Sequence, residues 1–534
     1  MRATTLVLVD GHRSPRLEAN AKRILTVPGQ DFDADGSPSP ELIAWVRQHA
    51  VTLSIAGPGA DRVLRKLSEH GLLAQRVNEG EPVVSGEGMQ IVANILDLVG
   101  DTPLVRLDRL FPDSRALVLG KLEAANPGGS TKDRVAVSLV DAAERDGRLK
   151  PGGRIVEPTS GNTGVGLAIV AARRGYRCTF TVPDKVAVEK IALLRAYGAE
   201  VVVCPTNVEA DDPRSYYSVA REIAQADPSA FHPDQYSNPA NPAAHFATTG
   251  PEIWAQTAGK VTHFVAGAGT GGTLGGIGRY LKSQNPGVRV VAADPVGSVY
   301  SGGGAEPYLV EGIGEDFWPA NWDGEIVDEI VPVSDAESFA WVRRAAKQEG
   351  ILVGSSCGAA LACAARVAAE AEDGDVIVVL LPDGGRGYLS KVYDDTWMRV
   401  HGFIDEDGDE RKIRDVVAAI EKRRPLLPHV HPDETVRTVA GIMAEYAIEE
   451  LPVLVVEGPS VPSQIVGAVD LAMVAQALGH PHELIGRGAS PLPFAGVGEN
   501  VTTVVSRMGD RRGVVVNDRG RPLALLTFAD ILAR

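Results

Sequence analysis

Short apolar runs of four to seven residues recur along the 534-residue chain, and between them lie stretches whose apolar positions fall three or four apart. The first spacing predicts strands and the second predicts helices with one apolar face, so the two are expected to alternate. Residues 1–88 read as a small α/β lobe. TTLVLVD (4–10) and VTLSIAG (51–57) are strand-like, whereas SPELIAWVRQHA (39–50) and GADRVLRKLSEHGLL (59–73) carry helical spacing, the former opened by Ser39 and Pro40. NEGEPVVSGEG (78–88) reads as a linker. Over 89–400 strand-like runs (RIVEP, RCTFTVP, AEVVVCP, THFVAGA, VRVVAADP, DVIVVLLPDGG) alternate with helical stretches, the pattern of a doubly wound α/β enzyme. The charged run HGFIDEDGDERK opens a linker assigned to 401–425. Beyond it, 426–534 holds two weakly similar units, each a helix followed by two β-rich runs, which predicts a paired internal repeat.

Composition narrows what such a chain acts on. It is 44% hydrophobic and 23% charged, which is ample for a buried core, and its length predicts three or more domains. The net charge of −16 repels phosphate backbones and anionic membrane surfaces, so nucleic acid and lipid are not expected partners and small molecules are. Four cysteines (Cys178, Cys204, Cys357, Cys363) form no C-x-x-C pair, which predicts a reducing compartment and no metal site. The apolar run before Asp10 is too short for a signal peptide and no later segment reaches 18 apolar residues; a cytoplasmic protein is expected.

The candidate chemistry lies in glycine-rich loops that each follow an apolar strand and open a helix, presenting free N–H groups and the positive end of a dipole to an anion. GAGTGGT (267–273) could wrap one phosphate with its amides and the hydroxyls of Thr270 and Thr273. It also satisfies G-x-G-x-x-G, with Asp294 twenty-two positions on, so a dinucleotide site is the rival reading; that site would leave the other two loops without a task. EPTSGNTG (157–164) places Thr159, Ser160, Asn162 and Thr163 at a strand-to-helix turn, enough short donors for a carboxylate and a ring oxygen, where simple capping accounts for only one. In NPGGSTKDR (126–134) Lys132 stands at a helix start, where the dipole disfavours the ammonium and leaves an amine suited to imine formation; a solvated surface charge is the alternative.

NPGGSTKDR, EPTSGNTG, GAGTGGT and VGSSCGAA (353–360), in this order, resemble the fold-type II pyridoxal-phosphate enzymes, the cysteine synthase and cystathionine β-synthase group, and the resemblance covers about 89–534. It implies an α/β core of the tryptophan synthase β-like kind with two α/β subdomains, and pyridoxal 5'-phosphate held covalently by Lys132. Asn162 would contact the ring oxygen, Gly269, Thr270, Gly271, Gly272 and Thr273 would cup the phosphate, and Ser356 would bond the pyridine nitrogen. A serine there leaves that nitrogen largely unprotonated, which favours β-elimination and replacement over transamination. Cys357 is expected to be a packing residue. Thr159, Ser160, Thr163 and Gln235 would bind the amino-acid substrate.

Within the group, three features resemble the cystathionine β-synthase branch. DQYSNPANPAAHF has Tyr236 where cysteine synthases usually carry phenylalanine, and a phenol can hydrogen-bond a leaving hydroxyl or incoming thiol. VEGIGEDFW and LPDGGRGYLSKVYDDTWM resemble that branch's segments; Glu311 matches an acid near the second substrate, while Glu315 departs from the tyrosine of the animal enzymes. The C-terminal repeat resembles the paired CBS-motif (Bateman) regulatory module. The resemblance thus implies condensation of serine with homocysteine to cystathionine and water, with Lys132 as base and acid; a cysteine synthase using O-acetylserine and sulfide is the alternative, and an adenosyl-ligand sensor a second. In PLALLTFADIL, Thr527 and Asp530 match the contacts to an adenosyl ligand, with S-adenosylmethionine the implied one, or else they cap a helix. Residues 1–88 lack cysteine, so no haem of the animal type is expected, and a homodimer or homotetramer is.

Overall fold

The computed structural model describes residues 5–9, 23–27, 37–40, 42–43, 53–56, 74–76, 92–159, 161–184, 186, 188–205, 208, 212–456, 461–486 and 491–533. They fall into two compact units, Met1–Leu98 and Val99–Arg534. The first contains a parallel sheet of β1 (Thr5–Val9), β2 (Arg23–Val27), β3 (Leu53–Ala56) and β4 (Ala74–Arg76), in the order β2-β1-β3-β4. Two of these strands are the apolar runs singled out in the sequence. The expected helix over 59–73, most of that over 39–50 and the linker over 78–88 lie outside the described residues.

The second unit opens with β5 (Leu104–Arg106), β6 (Leu117–Leu122), β7 (Arg154–Pro158), β8 (Arg177–Pro183), β9 (Glu200–Cys204), β10 (Ala230–Phe231), β11 (His263–Gly267), β12 (Arg289–Pro295), β13 (Glu329–Val333) and β14 (Val376–Leu381). They form two sheets, β10-β7-β8-β9 and β13-β12-β11-β14-β6-β5, parallel throughout except for β5. Parallel strands covered by helices on both faces read as unbroken apolar runs, and β14, VIVVLL, is buried at every residue. The helix Ser355–Glu370 contacts β14, β11 and β12 with a face of alanine, leucine and cysteine. The chain leaves β7, β11 and β14 at their carboxyl ends, where open α/β sheets place their ligands.

The helix Lys132–Arg145 is anchored from behind by buried charges. Arg134 donates to Glu123 at 2.7 Å and to Glu252 at 2.7 Å, Lys121 donates to Glu252 at 2.7 Å, and the Thr102 hydroxyl donates to Glu123 at 2.6 Å. Lys121 and Glu123 are fully buried. Such a set is tolerated because each charge has a partner, and its geometry fixes where the helix begins.

Beyond the core, the helices Val436–Tyr446 and Val501–Met508 are each followed by an antiparallel strand pair, β15 (Glu450–Leu454) with β16 (Ile465–Asp470) and β18 (Gly513–Asp518) with β19 (Arg521–Thr527). A short β17 (Phe494–Gly496) runs parallel to β18. The span 401–425, read as a linker from its charge, carries the helix Ile413–Ile420. Its Ile413, Val416 and Ile420 join one apolar cluster with Val504, Val514 and Leu526, while Arg414 and Asp415 face out. No helix among the described residues is long and apolar enough to cross a membrane.

Glu450 ties the two repeats together. Its buried carboxylate accepts from Arg511 at 2.7 Å and from the backbone N–H groups of Arg512 and Gly513 at 3.0 and 3.1 Å. Glu450→Ala leaves these donors unpaired, and equilibrium denaturation should show the C-terminal transition destabilised by about 3 kcal/mol or more.

Candidate active site

Lys132 is the first residue of its helix, and its backbone N–H donates to the Ser130 hydroxyl at 3.2 Å. The amine sits below the ordinary lysine range chiefly because burial disfavours its charge; Asp383 and Glu315 pull the other way. The helix start alone had suggested a depressed amine, and desolvation supplies the main cause. Asp383 lies just past the carboxyl end of β14. Its carboxyl is raised by burial, and Asn162 Nδ2 (2.9 Å) and the Tyr388 hydroxyl (2.8 Å) donate to it. The Lys190 ammonium stands 5.0 Å from the centre of the Tyr388 ring.

GAGTGGT forms a cradle. Gly271, with φ of +81°, ends the loop and starts the helix Gly272–Gln284; the Gly272 N–H reaches Thr270 Oγ1 at 3.4 Å, and the amides of Thr273 and Leu274 after it have no partner within the helix. A Cβ at Gly271 would stand 2.6 Å from the Trp322 backbone, and one at Gly272 would stand 2.1 Å from Asn241 Oδ1. Asn241 Nδ2 donates to Thr270 Oγ1 at 3.0 Å and to the Gln235 carbonyl at 2.8 Å. Thr273 Oγ1 lies 3.3 Å from Nε2 of the buried His245, which burial holds neutral with its pKa near about 3. Ser356 is buried at the start of the helix Ser355–Glu370, with no hydrogen bond to another described residue, and the Thr131 hydroxyl is buried and unpaired. A phosphate cradle, unused hydroxyls and a neutral-prone amine match a phosphorylated pyridine aldehyde in charge and donor type. The loop is not free for a dinucleotide's ribose acid, since Asp294 is fully buried and accepts from both the N–H (2.9 Å) and the hydroxyl of Ser301.

The substrate-side residues assemble beside this cradle. Thr163 Oγ1 donates to Gln235 Oε1 at 2.7 Å, and Thr159 Oγ1 accepts from Gly164 N–H at 3.3 Å; Ser160 lies outside the described residues. The Gln235 and Asp234 backbone amides donate to Glu157, a buried carboxyl pushed up to about 8 by burial. The Tyr236 ring meets Phe317 edge-on at 5.3 Å, and loss of water raises its phenol well above the usual range, so it stays a hydrogen-bond donor at neutral pH. Asn321 Nδ2 holds the Gln235 carbonyl at 3.0 Å, and its N–H holds that of Tyr236 at 3.1 Å. Glu311 is bridged by Lys190 and Lys391 and lies below the ordinary range, opposed by burial but lowered by both ammoniums. Cys357 is fully buried with its thiol pushed up, which makes it a packing residue.

Residues 95–383 match the family described as pyridoxal-phosphate dependent enzyme. The chain belongs to that family. It is 44% identical over 330 residues to cystathionine beta-synthase of Oryctolagus cuniculus, covering 60% of this chain and 59% of that one, so the chain spans less than two thirds of that relative. It is 45% identical over 301 residues to cysteine synthase of Staphylococcus aureus, covering 56% of this chain and 96% of that one. Among solved structures it resembles the O-acetylserine dependent cystathionine beta-synthase of Helicobacter pylori, with a TM-score of 0.54 and 38% identity over 57% of this chain and 99% of that one. The core is therefore that of a pyridoxal-phosphate enzyme of the cystathionine β-synthase and cysteine synthase group.

Asp383, Asn241 and Asn321 went unnamed in the sequence, although each is polar and next to a motif that was read. At the far end of the chain, Thr527 caps the helix Phe528–Leu532, and its N–H and hydroxyl donate to Asp530 at 2.9 and 2.7 Å. Arg424 donates to the same carboxylate at 2.7 Å. In this pyridoxal-phosphate enzyme Lys132→Ala should abolish both turnover and the visible absorbance of the lysine-bound cofactor; absorbance spectra and an assay of the purified variant check both.

Proposed function

We propose that the enzyme condenses L-serine with L-homocysteine, giving L-cystathionine and water. The observation that carries this reading is Tyr236, a phenol kept neutral beside Gln235 and in the electrostatic field of Glu315, which in turn acts on Lys132. Hydroxide is a poor leaving group and needs a proton donor, whereas acetate leaves without one, so a site furnished with donors suits a serine hydroxyl. Similarity to the rabbit enzyme over 330 residues supports the same reading.

Lys132 would hold the cofactor, with Asn162, the 269–273 loop and Ser356 around it, and the cofactor would supply an electron-accepting ring that makes the substrate's α-proton removable. The chain does the rest. Thr159, Thr163 and Gln235 hold the substrate carboxylate, with Ser160 alongside them in sequence. The Lys132 amine would take the α-proton, since burial leaves it uncharged more readily than a surface lysine. It later returns that proton. Tyr236 donates a hydrogen bond to the departing oxygen, and Glu311, fixed by Lys190 and Lys391, borders the second substrate.

The runner-up is a cysteine synthase that takes O-acetylserine and sulfide, favoured by the 45% identity to the Staphylococcus aureus enzyme. Mass spectrometry of the product from each donor and thiol pair separates the two: cystathionine from serine and homocysteine is expected, and cysteine from O-acetylserine and sulfide alone would overturn the assignment.

Residues 426–534 are assigned to a paired regulatory module with S-adenosylmethionine as its ligand, in a cytoplasmic homodimer or homotetramer. The ligand would take Thr527 and Asp530 from their cap and from Arg424. Titration calorimetry of the full chain with S-adenosylmethionine should give saturable heat that Asp530→Ala removes; absence of heat in the unsubstituted chain refutes the ligand.

A further inference from the structure

The loop 311–315 runs along the cofactor cradle from one end to the other. A Cβ on Gly312 would stand 4.0 Å from Ser356 Oγ, and one on Gly269 in the glycine-rich loop would stand 3.3 Å from the Gly312 carbonyl and 4.0 Å from Glu315 Oε1. Two left-handed glycines, Gly312 with φ of +88° and Gly314 with φ of +76°, make the turns. The loop is pinned rather than draped. Gly314 N–H donates to the Ala268 carbonyl at 2.6 Å, Glu315 N–H donates to Ser298 Oγ at 3.1 Å, and the Glu315 carbonyl accepts from Val299 N–H at 3.0 Å. Glu315 is thereby fixed at the rim of the cradle, with no side-chain hydrogen bond to a described residue.

We propose that Glu315 is the acid that protonates the departing β-hydroxyl of serine, and so sets the enzyme's tolerance for a poor leaving group. The inference rests on the serine reading above and goes beyond it by naming the proton's source. In this step the Cβ–O bond breaks with its electron pair going to oxygen, the Glu315 O–H bond breaks, and the proton completes a water molecule. The carboxylate left behind is restored by the proton that the incoming thiol releases as its sulfur bonds to Cβ. Tyr236 orients the oxygen and keeps its own proton.

The groups around Glu315 make it a better donor than that phenol. Lys132, from its helix start, is the cation that acts on it; Asp294 at the end of β12 and Asp316 beside it are the anions. Tyr216 and Tyr217 on the helix Tyr216–Ala226, with Tyr236, Tyr300 and Tyr308, complete the titratable surroundings and are neutral phenols at working pH. Burial, reinforced by Asp316, pushes the carboxyl up to about 8, with Lys132 opposing. An acid in that range is still protonated at pH 7 and gives its proton up readily, whereas a phenol raised above its usual range does so poorly.

The test compares two donors in the first half of the reaction. The full holoenzyme is mixed with serine or with O-acetylserine, without thiol, and the single-turnover rate is read from the absorbance change. E315Q is expected to slow the serine reaction about 100-fold or more and the O-acetylserine reaction by less than about tenfold, because acetate needs no proton. Equal losses with both donors, or an unslowed serine reaction, overturn the assignment. If the unsubstituted enzyme accepts O-acetylserine but not serine, the serine reading fails first and takes this inference with it.

A second measurement needs no turnover. A carboxyl with a raised folded pKa binds more protons folded than unfolded between about 4.5 and about 8, so its contribution to stability falls as pH rises through that window. The melting temperature of E315Q should match the unsubstituted full chain near the lower limit and exceed it increasingly toward the upper. A difference that does not grow with pH means the carboxyl is ionised throughout, and the inference is wrong.

Discussion

Keeping one lysine amine largely out of water is the constraint around which the catalytic core is arranged. A desolvated ammonium is costly, and the fold meets that cost partly by letting the amine shed its proton and partly with the carboxyl of Asp383. The helix bearing Lys132 is held by charge as well as by its buried apolar face. Two residues on, Arg134 is held on both sides by Glu123 and Glu252, an ionic frame that sets the helix's starting point before the reactive residue is considered. Asp383 closes the other side, and because it also takes Asn162 and Tyr388, it brings the ends of two sheets to one point.

The cradle shows the same economy in its backbone. Two of its glycines are small because neighbours occupy the space a side chain would need: Trp322 against Gly271 and Asn241 against Gly272. Those neighbours are not passive. Asn241 joins the phosphate loop to the Gln235 carbonyl, and Asn321 ties that carbonyl and the Tyr236 backbone to the same wall. The glycine-rich loop and the Gln235–Tyr236 segment are thus one hydrogen-bonded body, so a substitution at either asparagine disturbs both. Fully paired networks of this kind give a site its rigidity.

The residues legible in the sequence were those whose loop type itself carries meaning: a lysine at a helix start, glycines after a strand, a cluster of short hydroxyls. Lys132, Thr163, Thr270 and Ser356 stand where such reasoning puts them in the chain, and the alternation over 89–400 is the parallel α/β core. The hidden part was what pairs across the sheets. Asn162 meets Asp383 over 221 positions because β7 and β14 end near one another. That meeting depends on strand order, and apolar strands such as RIVEP and VIVVLL give no local sign of which neighbours they choose. One signal was present: Asp383 follows a run of six buried apolar residues and a proline, the position at which a parallel strand delivers polar groups to a ligand. The span 401–425 misled for the opposite reason. Most of its charges flank a short helix, of which only Arg414 and Asp415 are charged and whose Ile413 and Val416 are fully buried, and net polarity conceals such a face unless the spacing is counted.

The segment before the Glu315 loop adds a last structural consequence. At the turn between β18 and β19, Gly520 N–H donates to the His401 carbonyl at 2.6 Å, and a Cβ there would stand 2.6 Å from Leu309. Arg521 meets Glu306 at 3.1 Å. Further along, the amides of Leu309 and Val310 donate to Asp335, and that of Glu311 donates to Ser355, the neighbour of Ser356. From Glu306 to Glu311 nearly every step is held by a directed bond or a close contact, with the C-terminal hairpin at one end and the cofactor cradle at the other. A stretch so short and so fully tethered has little slack, so a shift of the hairpin must be taken up at Leu309 or passed to Glu311. The C-terminal repeats are therefore joined to the active site by packing and hydrogen bonds, beyond their covalent connection through 401–425.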